Sequence, residues 1–90
     1  MVALSGMMTC APHEVAAVLQ ALPRHLRLSR AEAGCLAFEV TQSPHDPCRF
    51  LVSERFTDRA AFEAHQQRTR NSAWWRVTGH MARDFRVSDA

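Results

Sequence analysis

Apolar and polar residues alternate at every second position in two neighbouring segments, residues 35–41 and 50–56. The side that carries the aromatic residues comprises Leu36, Phe38 and Val40 in the first segment and Phe50, Val52, Glu54 and Phe56 in the second. A repeat of two residues predicts β-strands. Pro44 and Pro47 lie between the segments and predict a turn, so the two strands are expected to form a hairpin.

Helical spacing of apolar residues precedes this hairpin. Pro12 suits the first turn of a helix. The apolar positions that follow it are Val15, Val18, Leu19, Leu22 and Leu26. Pro23 removes a backbone donor, so we expect a kink or two short helices that meet near residues 21–24, with His25 facing outward on the second. Gly34 is the expected left-handed cap at the end of this region.

A second helix, a break and a last strand are predicted after the hairpin. A capped helical pattern covers residues 58–70, with Arg68 expected in solvent. Asn71-Ser72 predicts a break or a new cap before a short helical turn at residues 73–77. Residues 81–87 alternate again and predict a strand.

Residues 2–9 complete the set as a first strand, which gives the element order β-α-β-β-α-β within one domain, residues 1–90. This order predicts a ferredoxin-like α+β fold, with an antiparallel sheet and both helices on one of its faces. Neither side of the first strand is clearly polar, so the second sheet face is expected to need cover. We therefore predict a homodimer in which the sheets of two subunits pack face to face.

The composition is that of a globular protein, with 47% hydrophobic residues and a small formal net charge of +2. The basic residues are all Arg and form no run or aromatic–Gly–basic motif, which argues against nucleic-acid binding. Cys10, Cys35 and Cys48 are far apart in sequence, so reduced thiols are expected rather than a disulfide framework. The N-terminus lacks the features of a signal peptide, and no apolar run has the length of a membrane span. We expect a cytoplasmic protein.

The histidines other than His65 lack the spacing of metal ligands. His13, His25 and His80 are isolated in sequence, and His45 lies in the predicted turn with Cys48. No metal site is therefore predicted.

Three stretches in the middle of the chain carry a more specific pattern: EAGCLAFEV at residues 32–40, RFLVSERF at 49–56 and DRAAFEAH at 58–65. They resemble the antibiotic biosynthesis monooxygenase family, whose pattern is approximately E-P-G-C-L-x-[FY]-x-V, E-x-[WF] and A-[FL]-x-x-H. The resemblance implies a dimeric α+β barrel with a small apolar cavity between the sheet and the helices of each subunit. It also implies oxidation of aromatic phenols or quinols by dioxygen with no metal, flavin or haem cofactor.

In such a reaction the substrate supplies the electrons, and protein groups bind it, take its proton and stabilise charge. His65 matches the family's helix histidine and is the candidate base, or else a structural histidine. Glu54 matches the family's strand carboxylate, which would orient His65 or form a dimer salt bridge with Arg55 or Arg83. Asn71 is a candidate amide donor to an oxyanion, or else a helix cap.

Aromatic side chains are the candidates for contact with a flat substrate. Trp74 and Trp75 are expected to line an aromatic pocket, with at least one of them in the core. Phe38 and Phe62 are further candidates for substrate binding, although phenylalanines at such positions are mostly core residues. The chain contains no Tyr, which excludes any mechanism that relies on a tyrosine hydroxyl.

Two functions from different classes follow from these expectations. The first is a cofactor-independent monooxygenase that acts on a small aromatic quinol, phenol or polyketide-like substrate. The second is a non-catalytic dimeric binding module for an aromatic or apolar ligand. Haem binding or degradation is a weaker third, since the first strand lacks the Asn that is typical of the haem-degrading relatives.

Overall fold

The computed structural model describes residues 1–89. A short 3-10 turn, Pro12–Glu14, leads into the first helix. The regular elements are β1 (Val2–Thr9), α1 (Val15–Arg30), β2 (Cys35–Gln42), β3 (Arg49–Phe56), α2 (Arg59–Arg70), α3 (Ala73–Thr78) and β4 (Ala82–Asp89). The predicted order is confirmed, with α3 as a short addition between the second helix and the last strand.

The four strands form one antiparallel sheet in the order β2-β3-β1-β4. β1 lies inside the sheet, where Leu4 pairs with Glu54 of β3 on one side and with Val87 of β4 on the other. The helices cover the face on which alternate β3 residues are buried, as the alternation predicts. This arrangement confirms the ferredoxin-like α+β fold.

The core lies between the sheet and the helices. Its buried apolar residues are Val2, Leu4, Met8, Cys10, Val18, Phe38, Val40, Phe50, Val52, Phe56, Phe62, Trp74 and Met81. Within this apolar layer the described chain also buries polar side chains, among them His25, Glu54 and His65. Burial of polar groups is costly unless they are paired, so these three residues mark the part of the core that packing alone does not explain.

One alternation in the hairpin is interrupted. The pairing of β2 with β3 shifts between Cys35 and Ala37, so an extra residue is inserted into β2. Leu36 is consequently 57% exposed rather than buried beside Phe38, while Cys35 packs against the core. The prediction that Leu36 shares a side with Phe38 and Val40 is therefore wrong, because a bulge moves the flanking residue to the other face.

The first helix is continuous through Pro23, so the prediction of two short helices is wrong. Pro23 lies on the exposed side of α1, and the carbonyl that it leaves without a helical donor belongs to Leu19, which is 41% exposed. Water can bond to a carbonyl on this side, which lowers the cost of the missing hydrogen bond. Because the helix does not restart, its phase carries His25 inward: His25 is 5% exposed, and its predicted outward position is also wrong.

The predicted caps that begin α2 and α3 are present. The Asp58 side chain accepts a hydrogen bond from the Ala61 backbone N–H at 2.8 Å, and Ser72 does the same for Trp75 at 3.3 Å. Gly34 has φ of +85°, the predicted left-handed conformation, but α1 ends at Arg30 with Ala31 as its C-cap, so Gly34 forms the turn before β2 and the prediction that it caps the helix is wrong. Asp58 and Ser72 therefore mark where α2 and α3 begin.

Two cysteines that are distant in sequence are neighbours in the fold. The Cys10 backbone N–H donates to the Cys48 carbonyl at 2.9 Å, directly beyond the Thr9–Arg49 pair of β1 and β3. Both residues are free thiols, as is Cys35. The Cys10 thiol has a raised pKa, mainly because it is buried and also because Cys48 is close. No helix within residues 1–89 is long and apolar enough to cross a membrane.

We expect Gly6→Ala to disrupt the centre of the sheet. Gly6 has φ of +149°, and an added Cβ would lie 2.0 Å from the Asp84 carbonyl oxygen of β4. Strained backbone together with a main-chain clash should lower the free energy of unfolding by about 3 kcal/mol. Urea denaturation followed by circular dichroism measures this loss.

The matched control for this substitution is Ser5→Ala, at the neighbouring exposed position of the same strand. It should stay within about 0.5 kcal/mol of the wild type. Equal stabilities of the two variants would contradict the close approach of β1 and β4 at Gly6.

Candidate functional site

Two cavities adjoin the buried polar residues. The first, which we call the inner cavity, lies between the sheet and the helices, has a volume of about 110 Å³ and is lined by Glu54, His65, Thr69, Trp75 and Arg83 among others. The second, the outer cleft, has a volume of about 520 Å³. It lies between α1 and the segment that joins α2 to α3, and its walls include Arg24, Leu28, Arg68, Asn71 and Arg76. His25 and Trp74 line both.

His65 is positioned by α2 and is 2% exposed. Its Nδ1 lies 2.8 Å from Oε1 of Glu32, the distance of a charge-assisted hydrogen bond. A carboxylate accepts hydrogen bonds, so Nδ1 carries the proton and donates. Nε2 is then the acceptor nitrogen, and it faces the Thr69 hydroxyl at 3.3 Å and Oε1 of Glu54 at 3.6 Å.

Glu32 is itself held in place by a second helix residue. Its Oε2 accepts a hydrogen bond from Nε of Arg68, and Nη2 of Arg68 donates to the Ser29 hydroxyl at 2.9 Å. Arg68 is therefore part of the buried network rather than in solvent, and the prediction of a solvated Arg68 is wrong. The chain Ser29–Arg68–Glu32–His65 ties the end of α1 to α2.

Glu54 faces the same cavity from β3 and is 6% exposed. Its Oε1 has no hydrogen-bond donor among residues 1–89. Burial, and secondly the negative charge of Glu32, raise its pKa to about 7. Of its predicted salt-bridge partners, Arg55 lies on the exposed side of the strand, and Arg83 donates to the carbonyls of Thr78 and Met81 at 2.7 and 3.2 Å.

The protonation states of the pair follow from these surroundings. Burial, and to a smaller extent the positive charge of Arg68, lower the pKa of His65 further than the Glu32 carboxylate raises it, so the ring is neutral at pH 7. Glu54 changes charge near the same pH. The inner cavity thus presents a neutral imidazole nitrogen beside a carboxyl group that is ready to gain or lose a proton, which is the arrangement that general acid–base chemistry requires.

An aromatic pair separates the two cavities. His25 stacks on Trp74 with ring centroids 4.5 Å apart and planes 2° from parallel. The edge of His25 also meets Phe38 at 5.2 Å. Because both members of the stack line both cavities, it forms the wall between them.

Of the remaining predicted site residues, Trp75 and Phe38 lie at the inner cavity or against His65, whereas Phe62 and Asn71 do not. Trp75 lines the inner cavity, with the Arg83 guanidinium 4.8 Å from the centre of its ring, and Phe38 packs against His65 at 5.1 Å between centroids. Phe62 packs on Phe56 and lines neither cavity. Asn71 is exposed, donates to the Gln67 carbonyl at 2.9 Å and lies at the outer cleft, away from His65.

Several residues of the site were missed from the sequence alone. Glu32 is the first residue of the EAGCLAFEV stretch and matches the Glu of the family pattern, which is the signal that could have identified it. Arg83 was predicted only as a salt-bridge partner of Glu54 and not as a residue of the cavity. Thr69 lies one helical turn after His65, and His25 lies one turn before Leu28. Many core residues have the same spacing, so it could not identify these two as site residues. No group of three or more His, Cys, Asp or Glu residues within 1–89 is arranged to hold a metal ion.

Comparison with known protein sequences identifies a family but no individual curated relative. The family model described as antibiotic biosynthesis monooxygenase matches residues 1–76. No curated protein matches the chain.

Solved structures are also similar to it, and three of them serve as examples. A protein from Nitrosomonas europaea that is named for this family has 23% identity and a TM-score of 0.83, with 100% of this chain and 98% of that chain covered. One from Deinococcus radiodurans has 21% identity and a TM-score of 0.81, with 100% and 92% covered. PA3566 from Pseudomonas aeruginosa has 28% identity and a TM-score of 0.73, with 97% and 88% covered. At their level of identity, the first two matches show the fold alone.

The buried His25 makes a prediction about acid stability. Burial, then the charge of His65 once it is protonated, and then the positive charges of Arg68 and Arg83 lower the pKa of His25 to about 3. The unfolded chain binds a proton at this ring below pH 6.5 and the folded chain does not, so stability falls as the pH drops from about 6.5 towards 3. At pH 5 this group should cost about 2 kcal/mol relative to pH 7.

His25→Phe keeps an aromatic ring against Trp74 and removes the titration. Urea denaturation at pH 7 and pH 5 should show a smaller loss of stability for this variant than for the wild type. His45→Gln, which changes an exposed loop histidine, is the control and should keep the wild-type loss. Parallel pH curves for the wild type and His25→Phe would rule out a buried neutral His25.

Proposed function

Because the chain belongs to the antibiotic biosynthesis monooxygenase family, we propose that it is a monooxygenase that oxidises a small aromatic quinol, phenol or polyketide-like substrate with dioxygen. The observation that carries the proposal is the His65–Glu54 pair, a neutral imidazole and a carboxyl group with a pKa of about 7 that face one buried cavity. An ionisable pair of this kind inside an apolar core has a clear use in proton transfer.

The first step is removal of a phenolic proton. His65 Nε2 or the Glu54 carboxylate accepts it, while Glu32 keeps the proton of His65 on Nδ1 and so keeps Nε2 available. Glu54 Oε1 has no competing donor within the described chain, which leaves it free to bond to a substrate hydroxyl. The Arg83 guanidinium at the same cavity stabilises the phenolate that forms.

The substrate anion then supplies the electrons to dioxygen. For a ring methylene the balanced change is R₂CH₂ + O₂ → R₂C=O + H₂O, and for a quinol a ring C–H becomes C–OH as the ring is oxidised to the quinone, again with release of one water. One oxygen atom enters the product and the other leaves as water. The substrate provides all four electrons, so this chemistry needs no external reductant.

The size of the inner cavity limits how the substrate is held. A volume of about 110 Å³ is below the range of about 300–1,000 Å³ that is usual for small-molecule sites. In this proposal the reacting end of the substrate enters the inner cavity, and the rest occupies the outer cleft after the His25–Trp74 stack moves aside. The same small volume favours the second candidate function, a non-catalytic module that binds an aromatic or apolar ligand.

Oxygen uptake with a panel of naphthoquinols and anthrones distinguishes the two functions. The rate above uncatalysed autoxidation should rise with pH through about 7 as Glu54 ionises. Glu54→Gln and His65→Gln should each lower it about 100-fold, the lower range for general base catalysis. Loss of the pH dependence in Glu54→Gln would assign the ionisation to that residue.

Glu63→Gln is the matched control because it makes the same change at an exposed position of α2. It should keep the wild-type rate. Absence of uptake across the panel, together with a thermal shift on addition of the same compounds, would replace the monooxygenase with the binding module.

We also propose that two copies of the chain associate through the sheet face opposite the helices. Several of its residues are apolar or uncharged, and they include Ala3, Ser5, Met7, Ala37, Leu51 and Ser53. Leu51 at the middle of β3 is 41% exposed in the single subunit. Burial of such a face against a second copy would remove apolar surface from water.

Leu51→Asp should convert this dimer to a monomer, since it places a charge at the centre of the proposed interface. Leu19→Asp is the control: Leu19 is also 41% exposed, but it lies on α1, on the other side of the molecule. Native mass spectrometry and light scattering report the subunit number. A wild-type monomer, or a dimer that persists in Leu51→Asp, would contradict this interface.

A further inference from the structure

The outer cleft has an unusual distribution of charge. Three arginines line it, Arg24 from α1, Arg68 from α2 and Arg76 from α3, and none of its lining residues is Asp or Glu. Arg68 is already engaged by Glu32 and Ser29. Arg24 and Arg76 are exposed and form no side-chain hydrogen bond or ion pair with any residue in 1–89, so the charges of these two lining residues have no anionic partner there.

A second, independent feature of the cleft is the orphaned nitrogen of His25. The residue is only 5% exposed, yet its Nδ1 has no hydrogen-bond partner within the described chain. A buried polar atom without a partner is uncommon in proteins and costs stability. His25 lines the outer cleft, but this nitrogen has almost no accessible surface, so a ligand in the cleft reaches it only when the His25–Trp74 stack shifts.

The rest of the wall is apolar and partly aromatic. Ala21 and Leu28 of α1 lie on one side, and Ala73 and Trp74 of α3 on the other. The Trp74 ring is held flat by its stack on His25. The volume of about 520 Å³ accommodates a bicyclic ring system, and it falls within the usual range for small-ligand sites.

We propose that the outer cleft binds a planar aromatic carboxylate. The carboxylate lies between Arg24 and Arg76, which offer forked N–H donors that match its two oxygens. The aromatic body of the ligand lies against Leu28 and Trp74.

This inference rests on the proposed function, which gives the outer cleft to the non-reacting part of the substrate, and it adds the carboxylate that the cleft would recognise. The charged head group is recognised in the outer cleft, whereas proton transfer is assigned to His65 and Glu54 in the inner cavity. A ligand that has no oxidisable hydroxyl therefore tests the cleft alone. Failure to bind it would leave the oxygen-uptake result unaffected, and the reverse also holds.

Isothermal titration calorimetry with 2-naphthoate and 2-naphthamide is the direct test. The two compounds have the same ring system and nearly the same shape, but only the first is charged. The wild type should bind 2-naphthoate about tenfold more tightly than 2-naphthamide, with the difference falling as salt is added. The Trp74 indole N–H signal in a ¹⁵N spectrum should shift on titration.

Variants locate the carboxylate. Arg24→Gln and Arg76→Gln should each weaken binding of 2-naphthoate about fivefold to tenfold and leave binding of 2-naphthamide unchanged. Arg27→Gln on α1 and Arg70→Gln on α2 make the same change in net charge at exposed positions outside the cleft. Both controls should bind like the wild type.

Three results would overturn the proposal. The first is no binding of 2-naphthoate at millimolar concentration. The second is equal affinity for 2-naphthoate and 2-naphthamide, which would mean that the arginines do not recognise the carboxylate. The third is equal weakening in the cleft variants and in the Arg27→Gln and Arg70→Gln controls, which would indicate attraction to the net positive charge rather than a site.

Discussion

The hydrogen bond between Glu32 and His65 is the interaction on which the site depends. It links the residues that follow α1 to the middle of α2, and Arg68 and Ser29 extend it into a network that holds the two helices together. It also sets the chemical state of the histidine, because a carboxylate on Nδ1 leaves Nε2 as the acceptor. A single contact thus serves both the packing of the helices and the orientation of a proton-accepting atom towards Glu54.

The electrostatics of the core follow from this contact. Glu32 is close enough to raise the pKa of Glu54, and it partly offsets the effect of burial on His65. Arg68 pairs with Glu32, and its positive charge also helps to lower the pKa of His25. The result is one carboxyl group that titrates near neutrality and two imidazoles with lowered pKa values within a small apolar volume.

Local patterns in the sequence predicted most of the fold and part of the site. The repeat of two residues identified the strands, and the side chains of Asp58 and Ser72 marked helix starts because they act on backbone groups only a few residues away. The bulge at Leu36 has no such local signature. Pro23 predicts a kink or two short helices because the sequence alone does not show that it lies on the exposed side of α1. The partner of His65 lies 33 residues away, so only the assembled fold could identify it.

The interior position of β1 has a consequence for how the chain folds. Val2 pairs with Phe56 on one side and with Asp89 on the other, so β1 finds its two neighbours only after β3 and then β4 have been made. Until then both edges of β1 are open and its apolar residues are unprotected, which favours aggregation with other chains. Within residues 1–89, the hairpin of β2 and β3 is the only strand pair formed between strands that are neighbours in sequence, and such local contacts form fastest. Folding in the order of hairpin, then β1, then β4 would make closure of the sheet the last and slowest event.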